Sequence, residues 1–373
     1  MIYLDNAATT RPCAAAVEAI TKALTTDWGN PSAQYRFGID AARLLRQARQ
    51  SVAEALGAET ERVFFTSCGT EADNWAIFSA AERLGKRGKH IVTTAAEHHA
   101  VLHPMKKLEE RGFEVTYLPT DAQGRVSVES LQAVLRRDTI LVSVMMVNNE
   151  SGAVMPIERM AKLTHRLSPN ALFHTDAVQG FFKLPFRART LGADLISVSG
   201  HKIHAGKGIG ALYIRPGLNL PPYLHGGGQE GGLRSGTESL PLIAGFGAAC
   251  AAQLDRRMEQ IAEQNRLKEL CRERLSQMEG VTLLGAQDAP HIINLSVHGV
   301  RSQGLINALQ DRDIYVSAGS ACSKGHRSHV LEAMRLDPAL IDGSIRVSLS
   351  AETTQEEILT FCRVLPAAIA ALR

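Results

Sequence analysis

DLISVSGHKIHAGKGIGALYI, residues 194–214, contains two short apolar runs separated by a polar, glycine-rich turn. Residues 195–198 and residues 211–214 are each typical of a buried strand. The chain breaks abruptly between them, because Ser199-Gly200-His201-Lys202 opens a turn with several glycines. The sequence therefore predicts Lys202 at the end of a core strand.

Lys202 is the residue in this stretch to which we assign chemistry. A lysine beside a turn is most often a solvated surface charge. Here Ser199, His201 and several glycines crowd the ammonium between two predicted core strands. A lysine removed from water forms a Schiff base with an aldehyde more readily, which is what pyridoxal phosphate requires. We interpret Lys202 as a lysine kept for that purpose.

Short apolar strands alternate with helical patterns on both sides of this stretch. The predicted strands are residues 63–66, 91–94, 115–118, 140–147, 171–173, 195–198 and 211–214. This alternation predicts an α/β domain with a mostly parallel sheet, which we assign to residues 16–250. Residues 1–15 together with 251–373 mix strands and helices and predict a smaller α+β domain.

Polar residues follow five of the predicted strands. They are Cys68-Gly69-Thr70, Glu97-His98-His99, Asn148-Asn149-Glu150, Asp176-Ala177-Val178-Gln179 and Ser199-Gly200-His201-Lys202. Ligands of such sheets bind beyond the carboxyl ends of the strands. Five polar strand exits on one edge therefore predict a ligand site there.

Residues 66–71 join a strand to a helix and predict a seat for a phosphate at the helix start. Thr70 could instead be an ordinary N-terminal cap. Asp176 could likewise be a structural cap, or it could keep the nitrogen of a pyridoxal ring protonated so that the ring accepts electrons.

Three further strand-exit residues allow both a structural and a functional interpretation. His98 could be a satisfied core histidine, or it could stack on the ring and move protons, with His99 the weaker candidate. Asn149 and Gln179 could satisfy loop carbonyls, or they could bond to the phenolic oxygen of the ring.

Composition excludes several other classes of protein. The chain has 373 residues, 45% hydrophobic and 21% charged, with a formal net charge of +3, which gives no basis for nucleic-acid binding. The start, MIYLDNAATT, is unlike a secretory signal and no apolar run is long enough to span a bilayer, so we expect a cytoplasmic protein. The six cysteines form no C-x-x-C pair or zinc spacing, so we predict no metal site and mostly reduced, buried thiols.

Several segments together resemble the NifS/IscS-type cysteine desulfurases, pyridoxal-phosphate enzymes of the class V aminotransferase family. They are TSCGTEADN, EHHAV, VNNESG, TDAVQG, SGHKIHAGKGIGALY, GGGQEGGLRSGT and SAGSAC, and they occur in order along nearly the whole chain. The resemblance implies the type I fold of pyridoxal-phosphate-dependent transferases. Its large domain would contain a mostly parallel seven-stranded sheet, and its small domain would carry a catalytic cysteine loop.

The resemblance also implies a role for individual residues. Around the ring of the cofactor, Lys202 would bind covalently, Asp176 would pair with the ring nitrogen, His98 would stack on the ring, and Asn149 and Gln179 would lie near the phenolic oxygen. The phosphate would be held by Gly69, Thr70, Ser199 and His201, and by Thr237 from the other subunit of a homodimer. The substrate carboxylate would be bound by Asn30 and Arg346. Cys322 would accept sulfur. Cys68, near the phosphate seat, is predicted to be a packing residue.

The reaction implied is the conversion of L-cysteine to L-alanine with a persulfide left on Cys322. The sulfur would pass to an acceptor protein, for iron–sulfur cluster assembly or for tRNA or cofactor thiolation. Lys324, His326 and Arg327 lie near Cys322 and would favour its thiolate. The alternatives within the family are a selenocysteine lyase, a C–S lyase that releases sulfide and an aminotransferase. Another alternative is a non-catalytic regulatory or scaffolding homologue.

Overall fold

Strands and helices alternate along most of the chain in the computed structural model, which describes residues 1–318 and 327–373. The strands are β1 (Ile2–Tyr3), β2 (Val63–Thr66), β3 (His90–Thr94), β4 (Glu114–Leu118), β5 (Thr139–Ser143), β6 (Leu172–Asp176), β7 (Leu195–Ser199), β8 (Gly210–Ile214), β9 (Val281–Leu284), β10 (Ile292–Val297), β11 (Ile314–Tyr315), β12 (Ser317–Ala318) and β13 (Ser344–Ser348). The α-helices are α1 (Ala14–Thr25), α2 (Arg36–Leu56), α3 (Gly69–Leu84), α4 (His99–Glu110), α5 (Val128–Val134), α6 (Ile157–Leu167), α7 (Ala188–Leu191), α8 (Leu240–Leu254), α9 (Arg257–Ser276), α10 (Ser302–Gln310), α11 (His329–Ala333), α12 (Pro338–Asp342) and α13 (Gln355–Ala370). Short 3₁₀ helices occur at Thr60–Arg62, Gly200–Lys202 and Glu230–Gly232.

The central sheet of the described residues has seven strands in the order β2-β8-β7-β6-β5-β3-β4. Strand β8 is antiparallel to both of its neighbours, whereas the pairs from β7 to β4 are all parallel. Helices cover the sheet because parallel strands need crossover connections. The predicted α/β fold with a mostly parallel seven-stranded sheet is confirmed.

Two predicted strand boundaries differ from the structure near the carboxyl edge. Strand β5 ends at Ser143 instead of residue 147, because the Met145 N–H donates to the buried Glu97 carboxyl (2.9 Å) instead of joining a regular ladder. Strand β6 continues past residue 173 and ends at Asp176. The chain after β5 therefore bends beside the end of β6, and Asp176 is itself the last residue of its strand.

A second sheet has the order β12-β13-β10-β9, and β1 pairs with β11 beside it. Its apolar cluster combines Leu4 from the N-terminal segment with Leu267, Val347 and Phe361 from the C-terminal part of the chain. This cluster is compatible with the predicted division into residues 16–250 and residues 1–15 with 251–373, which stays a prediction. Within the described part of the chain, none of the helices has both the length and the apolar character needed to cross a membrane.

Candidate active site

A pocket of about 240 Å³ lies at the carboxyl ends of the parallel strands of the central sheet. It is lined by Ala7, Cys68, Gly69, Thr70, Asp73, His98, Met145, Val147, Asn149, Asp176, Val178, Gln179, Ser199, His201 and Lys202. Every predicted cofactor-binding residue except Thr237 is in this set. The parallel strands bring these residues together because their carboxyl ends meet on one edge of the sheet.

Lys202 occupies the 3₁₀ turn that directly follows β7. Its Nζ donates to the carbonyl oxygens of Ala7 (2.6 Å) and Ala8 (2.7 Å). The N-terminal segment is fixed to the same turn, since the Thr10 N–H donates to the His201 carbonyl (2.8 Å). Residues 7–10 thus cross the site and hold the lysine. Backbone carbonyls carry no mark in a sequence, so this contact was not predicted.

The start of α3 offers unpaired donors to the pocket. Cys68 is the N-cap and its side chain makes no capping bond, so the first N–H groups of the helix are available to an anion. Beside them, the buried Ser199 hydroxyl has no hydrogen-bond partner among the described residues. A Cβ on Gly69 would lie 2.8 Å from Val178 Cγ2, so the backbone at the helix start is accessible only because that residue is glycine.

One expectation about this segment is corrected. Thr70 does not cap the helix, because β2 ends at Thr66 and α3 already begins at Gly69, which puts the cap at Cys68. That Cys68 is a packing residue stays a prediction; it lies at the strand-to-helix junction, is partly exposed and lines the pocket.

Asp176 and Asp73 form a buried carboxyl pair beneath the pocket. Burial, together with the neighbouring carboxyl of Asp73, raises the pKa of Asp176 to about 7. Burial also raises the pKa of Asp73 to about 7. Asp73 was missed from the sequence, although it lies four residues after Gly69 and so on the same face of α3. A polar residue at that spacing from a helix start was the available signal.

His98 is the N-cap of α4, and its Nδ1 accepts the N–H of Ala100 (3.1 Å). Burial, together with the charge of Lys202, lowers the pKa of His98 to about 4. The ring is therefore neutral near pH 7, and its single proton is on Nε2 because Nδ1 is an acceptor. His99 does not line the pocket; its ring lies 4.6 Å from that of His329, between centroids.

Arg346, on β13, bonds through its side chain to the backbone of Asn149, a residue that lines the pocket. Its Nη1 donates to the Asn149 carbonyl (2.8 Å) and its Nη2 to Asp5 Oδ1 (2.8 Å). The side chain is buried, and its Nε has no partner among the described residues. A buried guanidinium with a spare N–H is suited to donating a hydrogen bond to one more anionic oxygen.

Three predicted residues within the described part of the chain are absent from the lining of this pocket: Asn30, Thr237 and Arg346. Asn30 and Thr237 are exposed. The Asn30 side chain accepts the Ser32 N–H (2.9 Å) within its own turn. Cys322 lies outside the described residues, as do Lys324 and His326.

The residues that line the pocket fit pyridoxal phosphate. A lysine amine lies within it, with a buried carboxylic acid and a neutral imidazole beside it, and a helix start with an unpaired buried hydroxyl supplies donors for a phosphate. These are the groups that an aldehyde, a basic ring nitrogen and a phosphate ester require.

The chain belongs to the class V aminotransferase family, because the model of that family, described as aminotransferase class-V, matches residues 2–361. Within the family it is similar to the cysteine desulfurase IscS of Methanosarcina thermophila, with 40% identity over 100% of this chain and 93% of that protein. A cysteine desulfurase of Nostoc sp. is 41% identical over 100% of this chain and 94% of its own length.

Solved structures agree with these relatives. A NifS-like protein has a TM-score of 0.94 and 36% identity, with both chains covered completely. SspA in complex with cysteine has a TM-score of 0.80 and 32% identity, over 95% of this chain and 100% of that one. The resemblance to NifS/IscS-type cysteine desulfurases is confirmed.

Proposed function

We propose that this protein is a pyridoxal-phosphate-dependent cysteine desulfurase. It converts L-cysteine and the thiol of Cys322 into L-alanine and a persulfide on Cys322, and the outer sulfur then passes to an acceptor protein. The observation that carries the proposal is the pocket at the carboxyl edge of the sheet, which groups Lys202 with Asp176 and His98. The similarity to cysteine desulfurases over the whole chain supports the substrate.

The lining residues would hold the cofactor by distinct groups. Lys202 would bind its aldehyde carbon, Asp176 its ring nitrogen and His98 a ring face, Asn149 and Gln179 would lie at the phenolic oxygen, and Gly69, Thr70, Ser199 and His201 would bind its phosphate. When bound, pyridoxal phosphate supplies a ring that accepts the electrons of a bond broken at the substrate α-carbon.

Arg346 would bind the substrate carboxylate. The proposal is supported by its buried, unpartnered Nε and by the bond from Nη1 to the carbonyl of Asn149, a residue that lines the pocket. Asp5 and Asn149 hold the planar guanidinium from two sides, so it needs little rearrangement to accept a carboxylate. Asn30 remains a proposed second carboxylate ligand, on the resemblance alone.

Lys202 is better placed than His98 to move the α-proton of the substrate. The Nδ1 of His98 is engaged by the Ala100 N–H, so its Nε2 carries the proton and offers no lone pair. The amine of Lys202 has a lone pair when it is not protonated. We therefore propose that Lys202 removes the proton and that His98 donates a hydrogen bond from Nε2.

Cys322 is proposed as the sulfur-accepting nucleophile from the SAGSAC segment. The described residues on either side of its loop lie near the site. Ser317 pairs with Arg346 across β12 and β13, and the Ser328 hydroxyl donates to Glu150, next to Asn149. The described residues that flank this segment therefore contact Arg346 or the residue next to Asn149, and the assignment of Cys322 itself rests on the resemblance of SAGSAC.

We also propose a homodimer, in which Thr237 of a second copy of the chain completes the phosphate site. Thr237 is exposed in the single chain. Several large apolar side chains on α1, α2 and their connection are exposed as well: Leu24, Trp28, Tyr35 and Ile39. A surface of this kind favours burial against another protein chain.

The test is incubation of the cofactor-loaded protein with L-cysteine, with measurement of alanine and of the intact protein mass. We expect equal amounts of alanine and of protein carrying one extra sulfur atom. Cys322→Ser should abolish both while leaving the cofactor absorbance unchanged, whereas Cys13→Ser, at a partly buried thiol outside the pocket, should leave both intact. Release of free sulfide without a protein persulfide would indicate a C–S lyase instead.

A further inference from the structure

The Gln179 side-chain amide forms one hydrogen bond through its nitrogen and another through its oxygen. Its Nε2 donates to the Ala7 carbonyl (2.9 Å), and its Oε1 lies 3.1 Å from Nε2 of His291. The Ala7 carbonyl can only accept, so the amide must present nitrogen to it and oxygen to His291. The same carbonyl also accepts from Nζ of Lys202 (2.6 Å).

His291 must therefore be the donor in its bond to Gln179. The residue is buried just before β10, far from Gln179 in sequence. Burial lowers the pKa of His291, and the charge of Lys183 lowers it further, so the ring is neutral and has a single N–H. Its Nδ1 has no partner among the described residues, and the proton on Nε2 is committed to Gln179.

A primary amide nitrogen has two hydrogens. One of those on Gln179 is used by Ala7, which leaves one for a group in the pocket that Gln179 lines. Without His291, the amide plane would be fixed at one end only and could rotate about its last side-chain bond, which is a broad torsion. The direction of the remaining N–H would then be lost.

We propose that His291 is a positioning residue, which fixes the Gln179 amide so that its remaining N–H donates to the phenolic oxygen of the lysine-bound cofactor. This inference rests on the proposed function, because it assumes pyridoxal phosphate on Lys202. His291 touches neither substrate nor cofactor and acts through Gln179.

A donor at the phenolic oxygen has a measurable effect on the cofactor. It draws negative charge away from that oxygen, which would otherwise stabilise a proton on the adjacent lysine nitrogen. Loss of the donor therefore raises the pH at which the lysine-bound cofactor loses its proton, a transition visible in its absorbance. A neutral hydrogen bond corresponds to an upward shift of about half to one pH unit.

The experiment is a pH titration of that absorbance in the wild type, His291→Leu and His291→Asn. Leucine fills a similar volume without a donor, and we expect it to raise the midpoint. Asparagine keeps an N–H donor, and we expect it to restore the midpoint at least partly. His90→Leu is the matched control. It removes an equally buried histidine that bonds to Thr139 and Thr116. His90 is the first residue of β3 and does not line the pocket, so this variant should leave the midpoint unchanged.

A double-mutant cycle with Gln179→Ala decides whether His291 acts through Gln179. The single variant Gln179→Ala should raise the midpoint, and adding His291→Leu should cause no further shift. An unshifted midpoint in folded His291→Leu, or a full additional shift in the double variant, overturns the inference. If His291→Leu does not fold, His291→Ala takes its place, and an unshifted midpoint in that folded variant overturns the inference. A wild-type protein that binds no pyridoxal phosphate refutes the proposed function itself, whereas a normal wild-type titration with an unshifted variant refutes this inference alone.

Discussion

Replacing Asp73 by Asn should stabilise the cofactor-free protein, and more so at high pH than at low pH. Asp73 is buried on α3, with its Oδ1 3.5 Å from Nε2 of His174. It shares its surroundings with the carboxyl of Asp176. Burial lowers the pKa of His174 to about 4, so the imidazole beside Asp73 is neutral and does not balance a charge on that carboxyl. Asparagine has nearly the same shape but never acquires a charge.

The sign of the pH dependence follows from the raised pKa of Asp73. In the unfolded chain its carboxyl loses a proton near the usual value of 3.8, whereas in the folded protein burial raises the pKa to about 7. Between these values the folded state binds the extra proton, so its stability falls as pH rises and the full cost is present above pH 7. The full shift corresponds to about 4 kcal/mol.

We expect a smaller measured difference, because water and neighbouring side chains adjust around a buried charge. The gain in unfolding free energy of Asp73→Asn should increase by about 1–2 kcal/mol between about pH 5 and about pH 8. The assay is urea unfolding of the cofactor-free protein at both pH values and at one protein concentration. Asp311→Asn, at an exposed position, is the control and should show no such increase. A gain of equal size at both pH values, or a loss at pH 8, would refute the reasoning.

Two further predictions concern the phosphate seat and the loop that carries Thr237. Gly69→Ala should weaken pyridoxal phosphate binding about tenfold or more, because the new Cβ would lie 2.8 Å from Val178 Cγ2 and displace the helix start. Titration of the apoprotein with the cofactor measures the affinity, and an unchanged affinity would contradict the assignment of the phosphate site to this helix start. Glu230→Ala should cost about 3–5 kcal/mol in urea unfolding, because Glu230 is buried and accepts two bonds from Arg49 (2.6 and 2.8 Å). Glu263→Ala, at an exposed pair, should change stability by no more than about 0.5 kcal/mol, and equal effects of the two variants would refute the distinction.

The central sheet could be predicted because its signals are local. Each strand of the α/β domain is a short apolar run bounded by polar or glycine-rich residues, as in residues 194–214, and the polar exits mark the edge that binds ligands. The predicted end of a strand was wrong where a contact with a distant side chain interrupts the ladder of backbone hydrogen bonds. Strand β5 is the example, since the side chain of Glu97 takes the N–H of Met145 from the ladder.

The support of the site could not be predicted in the same way. The carbonyls of Ala7 and Ala8 bind the amine of Lys202 across more than half of the chain, and a backbone oxygen has no residue type to reveal it. His291 bonds to Gln179 across 112 residues. A buried histidine without a known neighbour could serve any of several roles. The groups proposed to react have distinctive residue types and could be proposed from the sequence, whereas the groups that hold them are recognised only in the folded chain.

The charges around the pocket fit a site that binds a protonated ring nitrogen. Burial and, after it, the neighbouring Asp73 raise the pKa of Asp176, so Asp176 binds a proton more tightly than an isolated carboxyl. A ring nitrogen placed beside Asp176 can share that proton, and a carboxylate there favours the protonated ring that accepts electrons. The imidazole of His98 meanwhile stays neutral because burial lowers its pKa, and so adds no positive charge that would compete for Asp176. Asp73 and Asp176 should therefore destabilise the cofactor-free fold at high pH, and the same two carboxyls favour the protonated ring that the cofactor needs. Asp73→Asn should separate these two effects, because it should raise the stability of the cofactor-free protein while weakening cofactor binding.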